Sequence, residues 1–269
     1  MKLEVVGGSF KFKNTDYILK DMNFSLEDSD ILSILGPNGV GKTTLIRCLT
    51  GLLQWNKGGT YLDGKNISSI DNKEFWSKLS YIPQKRNSTF SYSGLDMVLF
   101  GAKSSMSIFE RPRACHIKKA CQIMKMVGIY NLKDKKSDQM SGGEVQMLLI
   151  ARSLMKDPKI IILDEPESGL DYRNQRIILD LLKELSKTGV IIVMNTHYPE
   201  HALARSNKCL ILNYDKTYEF GRTREVLNRE NLKKSFSIDV NISEIEVEGK
   251  KYDSIIPLDL DERDKNYPI

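Results

Sequence analysis

Short runs of Val, Ile and Leu alternate along the chain with longer amphipathic stretches, the pattern of parallel strands joined by helices. Three runs predict buried strands: Ile31-Leu32-Ser33-Ile34-Leu35, Ile160-Ile161-Ile162-Leu163 and Val190-Ile191-Ile192-Val193-Met194. Each leads into a polar cluster, respectively Gly36-Pro37-Asn38, Asp164-Glu165-Pro166 and Asn195-Thr196-His197. Ligands of parallel α/β sheets bind at the carboxyl ends of the strands. Three polar clusters at such ends therefore predict a site. Leu3–Lys13 and Ile18–Leu26 predict a small N-terminal antiparallel sheet. From Gln84 to about Met155 the strand pattern stops and helical periodicity takes over, in Leu95–Ala102 and Ile117–Met126, so a helical insertion is expected within the core. After Asn231 charged and turn-forming residues dominate, and the weakly alternating Ile238–Val247 predicts an appendage.

Composition narrows this α/β reading. A chain of 269 residues, 41% hydrophobic and 28% charged, has ample length for a real core. No apolar run approaches the roughly 18 to 20 residues of a spanning helix. Met1–Phe10 lacks the apolar core and cleavage site of a signal peptide, so the protein is expected to stay in the compartment where it is made. Cys48, Cys115, Cys121 and Cys209 form no CxxC pair, which predicts buried, reduced thiols. The formal charge of +5 is too small and too dispersed to imply nucleic acid.

The strongest motif is Gly36-Pro37-Asn38-Gly39-Val40-Gly41-Lys42-Thr43, which follows a predicted strand and opens the helical run Thr43–Leu53. In such a loop the glycines let backbone N–H groups close around phosphate oxygens, and the helix N-terminus adds partial positive charge. Lys42 would set an ammonium against the β- and γ-phosphates of a nucleotide, and Thr43 would offer its hydroxyl to Mg²⁺. Asp164, ending the second strand, is placed to hold the same Mg²⁺ as an outer ligand. Glu165 can then orient a water and take its proton. His197, at the end of the third strand, could contact a γ-phosphate, and Gln84, at the junction with the insertion, could touch both metal and water. Ser141-Gly142-Gly143-Glu144 before the helical run Val145–Met155 reads as a capping box, Ser141 at the N-cap and Glu144 three residues on. The box leaves the paired glycines unexplained. They cost about 1 kcal/mol each against Ala, but they open backbone N–H groups to a second anion.

Taken together, Gly36–Thr44, Gln84, Ser141–Glu144, Ile160–Glu165, Ser168-Gly169-Leu170-Asp171 and His197 resemble the ATP-binding subunit of ABC transporters, in order and spacing over residues 2–235. The resemblance implies a P-loop NTPase core of the RecA-like kind with a mainly parallel sheet, an N-terminal antiparallel β subdomain, and an inserted α-helical signature subdomain at about residues 85–155. Residues 236–269 remain an appendage to which no role is assigned. It implies ATP and Mg²⁺ as ligands, with Gly36 to Thr44 as the cradle and Thr44 included. It further implies a head-to-tail homodimer in the ATP-bound state, in which Ser141, Gly142, Gly143 and Glu144 of one copy close the site of the other and Asp171 lies at the seam. Glu165 would polarise the attacking water, His197 would hold the γ-phosphate, Gln84 would report nucleotide state to a membrane partner, and Thr43, Gln84 and Asp164 would attend the metal. An aromatic near the N-terminus should stack on adenine: Phe12, with Tyr17 second.

Within the family, Phe90-Ser91-Tyr92-Ser93-Gly94-Leu95-Asp96-Met97-Val98-Leu99-Phe100-Gly101 and Ile108-Phe109-Glu110-Arg111-Pro112 resemble the iron-chelate, cobalamin and haem importers. The function implied is ATP hydrolysis powering import of an iron-siderophore or related metal chelate through integral membrane permease subunits, with a substrate-binding protein as an indirect partner. The subunit would sit peripherally on the cytoplasmic face of the membrane. The alternatives weighed are the ATPase of an efflux or lipoprotein-release system and a cassette acting on nucleic acid or the ribosome. The latter kind carries two cassettes or a coiled coil in the insertion, and neither is present, so no nucleic acid is expected.

Overall fold

The computed structural model describes residues 1–84, 91–102 and 112–258. The chain forms two compact units, Met1–Ile67 with Met194–Ile269, and Ser68–Val193. The first begins with β1 (Lys2–Phe10) and β2 (Leu19–Glu27), antiparallel with Leu3 opposite Leu26 and Val5 opposite Phe24. Next come β3 (Ile31–Leu35), buried at all five positions, and α1 (Lys42–Leu49). β4 (Lys57–Leu62) lies on the other side of β1 with Leu3 opposite Leu62, and the short β5 (Lys65–Asn66) completes a sheet of order β2-β1-β4-β5.

The second unit contains α2 (Asn72–Lys78), β6 (Leu79–Ile82), α3 (Gly94–Leu99), α4 (Ala114–Met126), α5 (Gly142–Leu154), β7 (Ile160–Asp164) and α6 (Tyr172–Ser186). β6 and β7 are parallel, with Leu79 opposite Ile160 and Ile82 opposite Leu163. α5 is its central helix: Met147, Leu148, Ile150, Ala151 and Leu154 are all buried. α4 keeps Ala120, Ile123 and Met124 inside at helical spacing and leaves Lys118, Gln122 and Lys125 exposed. β8 (Ile191–Asn195) starts in this unit, where the Ile191 N–H donates to the Lys159 carbonyl, and ends in the first, where the Thr196 N–H donates to the Ile34 carbonyl. β3, β7 and β8 are buried along their whole length, which is why each reads as an unbroken apolar run.

Back in the first unit, α7 (Pro199–Arg205) leads to β9 (Lys208–Leu212), which runs parallel to β3 with Ile34 opposite Leu210. β10 (Tyr218–Arg222) returns antiparallel to β9. α8 (Thr223–Val226), α9 (Arg229–Phe236) and the hairpin of β11 (Val240–Val247) and β12 (Lys250–Pro257) follow. Val240 and Ile255 of the hairpin are buried in one cluster with Leu35, Cys209, Ile211 and Leu232. The two ends of the first unit thus share a core. Ion pairs from Arg229 to both carboxylate oxygens of Asp239, at 2.6 and 2.7 Å, hold the entry to the hairpin.

Several expectations are corrected. β4, β9 and β10 have no counterpart in the periodicity reading. α1 ends at Leu49 rather than Leu53, because Gly51 takes the left-handed conformation (φ 73°) that stops a helix. Cys48 and Cys209 are buried, but Cys115 is exposed and Cys121 half-buried on α4. No described helix is long and apolar enough to cross a membrane.

Candidate functional site

In the first unit the sharp end of β3 runs into the glycine-rich loop. Gly41 caps α1 with φ 118°, a conformation closed to side-chain-bearing residues, and a Cβ there would lie 2.7 Å from Ile18 Cγ2. The first bond inside α1 is from the Leu45 N–H to the Gly41 carbonyl at 2.8 Å. The N–H groups of a first turn have no acceptor within the helix and carry the positive end of its dipole. Lys42 is 6% exposed, and its Nζ donates to the carbonyls of Gly36 and Pro37 at 2.7 and 2.9 Å. The ammonium is thereby folded back along the loop that it closes. Asn38 and Gly39 are exposed at the tip, Val40 is buried beneath them, and Thr43 and Thr44 are half-buried on the first turn. An anion-binding nest of this kind fits the β- and γ-phosphates of a nucleotide.

The same unit carries His197, half-buried after the fully buried Asn195 and Thr196. Thr196 Oγ1 accepts the Tyr198 N–H at 3.0 Å, fixing the turn that presents His197. Phe12 follows β1, 46% exposed and perpendicular to Phe10, with 5.0 Å between ring centroids. Tyr17 is half-buried with Lys11 Nζ over its ring at 5.3 Å.

In the second unit Asp164 is the last residue of β7, 4% exposed, and accepts from the Tyr81 hydroxyl at 3.4 Å. Glu165 follows with φ 49°, in the left-handed region that non-glycine residues seldom enter. That turn brings its carboxylate to Gln84, whose Nε2 donates to Oε2 at 2.5 Å. The candidate base and the candidate sensor are therefore joined directly. Asp164 here, and Thr43 in the first unit, each present oxygen, the donor type that Mg²⁺ takes.

Also in the second unit, the capping box forms as expected: Glu144 Oε2 accepts the Ser141 N–H at 2.7 Å and Ser141 Oγ accepts the Glu144 N–H at 3.3 Å. Lys135, absent from the sequence reading, donates to both oxygens of Glu144 at 3.0 and 2.9 Å. The Lys135 hydrogen bond, ahead of those from Ser141, holds the Glu144 carboxyl below its ordinary range. Gly143 has a packing reason that the sequence did not disclose, since a Cβ there would lie 2.8 Å from Asn174 Nδ2. Asn174 is itself held by Asp171, the N-cap of α6, through its N–H (2.8 Å) and its Nδ2 (2.9 Å). So the segment Ser141–Glu144 and Asp171 are neighbours through one asparagine. Phe90 and Ile108–Arg111, which bear on the subgroup resemblance, lie outside the described residues.

Comparison with known proteins identifies the family. Residues 19–168 match the family described as ABC transporter. The chain is 32% identical over 257 residues, 95% of its own length and 96% of the relative's, to the molybdate import ATP-binding protein MolC of Haemophilus influenzae. It is 36% identical over 234 residues, 86% of its length and 91% of the relative's, to an iron chelatin transport ATP-binding protein of Helicobacter pylori. A solved structure of a metal-chelate type ABC transporter in an inward-facing conformation superposes with a TM-score of 0.85 at 31% identity, covering 95% of this chain and 97% of that one.

Proposed function

The chain belongs to the ABC transporter family and is an ATPase, and from that premise we propose that it is the subunit whose ATP hydrolysis drives a membrane permease importing an iron-siderophore or related metal chelate. The observation that carries the nucleotide role is the loop around Lys42, whose ammonium is buried at the start of α1 by the carbonyls of Gly36 and Pro37. In this reading Gly36 to Thr44 hold the phosphates, and Phe12 stacks on adenine, a contact worth about 1–3 kcal/mol by analogy with base stacking. Thr43 and Gln84 would hold Mg²⁺, with Asp164 as an outer ligand, and the metal when bound would neutralise charge on the phosphates.

Glu165 orients the attacking water and takes its proton, a contribution of about 10²–10⁴ in rate. Gln84 Nε2 donates to its Oε2, so Gln84 couples the position of the base to whatever moves the glutamine. His197 holds the γ-phosphate. α5 supplies a second helix start for the same phosphate, and one nucleotide has one γ-phosphate. Two copies arranged head to tail reconcile the count, with Ser141, Gly142, Gly143 and Glu144 of each copy closing the site of the other and Asp171 at the seam. Residues 2–235 would form the ATPase domain. The partners are permease subunits, a substrate-binding protein acting through them, and the place is the cytoplasmic face of the membrane.

The metal-chelate class is supported by what the Helicobacter pylori relative and the superposed transporter are described as carrying. The molybdate relative widens the cargo to small metal-bearing solutes. Co-purification with the permease, followed by ATP-dependent uptake of a ferric chelate into proteoliposomes, tests the reading. Uptake lost on Glu165→Gln is the expected result. ATP hydrolysis with outward movement of solute, or uptake that survives Glu165→Gln, would sink it.

A further inference from the structure

The turn between β9 and β10 touches the phosphate loop at two points. The Leu212 carbonyl oxygen lies 2.6 Å from where a Cβ on Gly36 would stand, so the backbone of β9 backs the first glycine directly. Two residues on, the Tyr214 hydroxyl donates to the Asn38 carbonyl at 3.2 Å. That bond has a directional consequence. A trans peptide is planar, with its C=O and N–H pointing oppositely. Fixing the Asn38 oxygen toward Tyr214 therefore aims the N–H of Gly39 the other way. Gly39 has φ 77° and nothing within 4 Å of a Cβ position, so no side chain crowds the tip of the loop at that residue. Tyr214 holds the peptide before it.

The turn is in turn clamped from the C-terminal part of the chain. Asp215 Oδ1 accepts the Thr217 N–H at 2.9 Å, and the Asn213 N–H donates to the Thr217 carbonyl at 3.0 Å. From α9, Lys234 Nζ donates to Thr217 Oγ1 at 2.9 Å and lies 3.7 Å from Asp215 and 3.6 Å from Glu219. Its neighbour Ser235 donates a buried hydrogen bond to the Leu212 carbonyl at 3.1 Å, the same oxygen that backs Gly36.

We propose that Tyr214 is a positioning residue of the nucleotide site, orienting the 38–39 peptide of the phosphate loop, and that α9 holds it there through Lys234 and Ser235. The inference rests on the ATP-binding reading above. It gives the region beyond the core motifs a part in nucleotide affinity without any contact to the nucleotide.

Tyr214→Phe removes the hydroxyl alone, from a side chain that is 61% exposed. Net loss of one such hydrogen bond corresponds to a change of about two- to tenfold in an equilibrium. Purified full chain should bind ATP about two- to tenfold more weakly, with KM raised and kcat little changed, because the loop is oriented alike in ground and transition states. Lys234→Ala should move affinity in the same direction. Tyr218→Phe is the control: its hydroxyl accepts the Asn23 N–H at 2.8 Å on β2, and its loss should leave ATP affinity unchanged. Amide hydrogen exchange of the peptide spanning residues 36–44 supplies a readout without nucleotide, expected faster in Tyr214→Phe and unchanged in Tyr218→Phe. Wild-type affinity and exchange in Tyr214→Phe would overturn the proposal while leaving ATP binding intact, as would equal losses in the two tyrosine variants. A wild-type chain that binds no ATP would overturn the ATP reading and this one with it.

Discussion

Lys42 concentrates the electrostatics of the first unit, a cation at 6% exposure whose ammonium lies along its own loop. A hydrogen bond to a charged group is worth about 1.5–3 kcal/mol. Lys42→Ala should therefore weaken ATP binding by about ten- to a hundredfold by that range, measured by titration calorimetry, and an unchanged affinity would remove Lys42 from the site. The thiols give a second test at this scale. Burial pushes the Cys48 thiol up to about 12 and raises that of Cys209 as well, whereas Cys115 is exposed. The thiolate is the reactive form, so iodoacetamide on the native chain should modify Cys115 and spare Cys48 and Cys209 by mass spectrometry. Labelling of all of them at one rate would contradict the burial. Contiguous motifs were legible at this scale, since Gly36–Thr43 and Asp164-Glu165 carry their chemistry in adjacent residues. The bonds from Gln84 to Glu165, Lys135 to Glu144 and Tyr214 to Asn38 were not, because tertiary structure alone pairs residues 81, 9 and 176 positions apart.

At the level of elements, the start of α5 is the most heavily determined piece of the second unit, with Ser141, Glu144, Lys135 and Gly143 each fixing one side of it. Because Glu144 titrates below the ordinary carboxyl value of 4.5 in the folded chain, its contribution to stability is present above that value and is lost as pH falls through the lower folded one. Glu144→Gln should accordingly flatten the acid limb of thermal stability and leave the neutral-to-basic limb with the same slope, followed by circular dichroism from pH 3 to pH 8. An acid limb identical to wild type would show that Glu144 carries no such linkage. The buried strands β3, β7 and β8 were readable because burial on both faces leaves apolar residues at every position. β4 begins Lys57-Gly58-Gly59, and β10 is exposed or half-buried throughout, so neither offers an apolar run or a clean alternation. Gly143 shows the limit of composition arguments. Its absent side chain is explained by Asn174, so the glycine pair is weaker grounds for an anion than the sequence suggested.

On the scale of the whole molecule, the two helix starts proposed to meet phosphate lie in different compact units, α1 in the first and α5 in the second. The sequence made this duplication visible, and the proposed head-to-tail dimer would use both starts for one nucleotide. What the sequence concealed is how far the C-terminal region belongs to the first unit. Val240 and Ile255 are buried with Leu35 of β3, and α9 reaches the turn beside the phosphate loop. Residues read as an appendage are packed into the core that presents the cradle. The most direct test of the central claim is the mass of Glu165→Gln in solution by light scattering, with and without Mg²⁺-ATP, together with the nucleotide retained. Hydrolysis should stop while binding persists, so the account predicts a monomer without nucleotide and a dimer holding two ATP with it. A Glu165→Gln chain that binds ATP and stays monomeric, or that still hydrolyses it, would contradict the account.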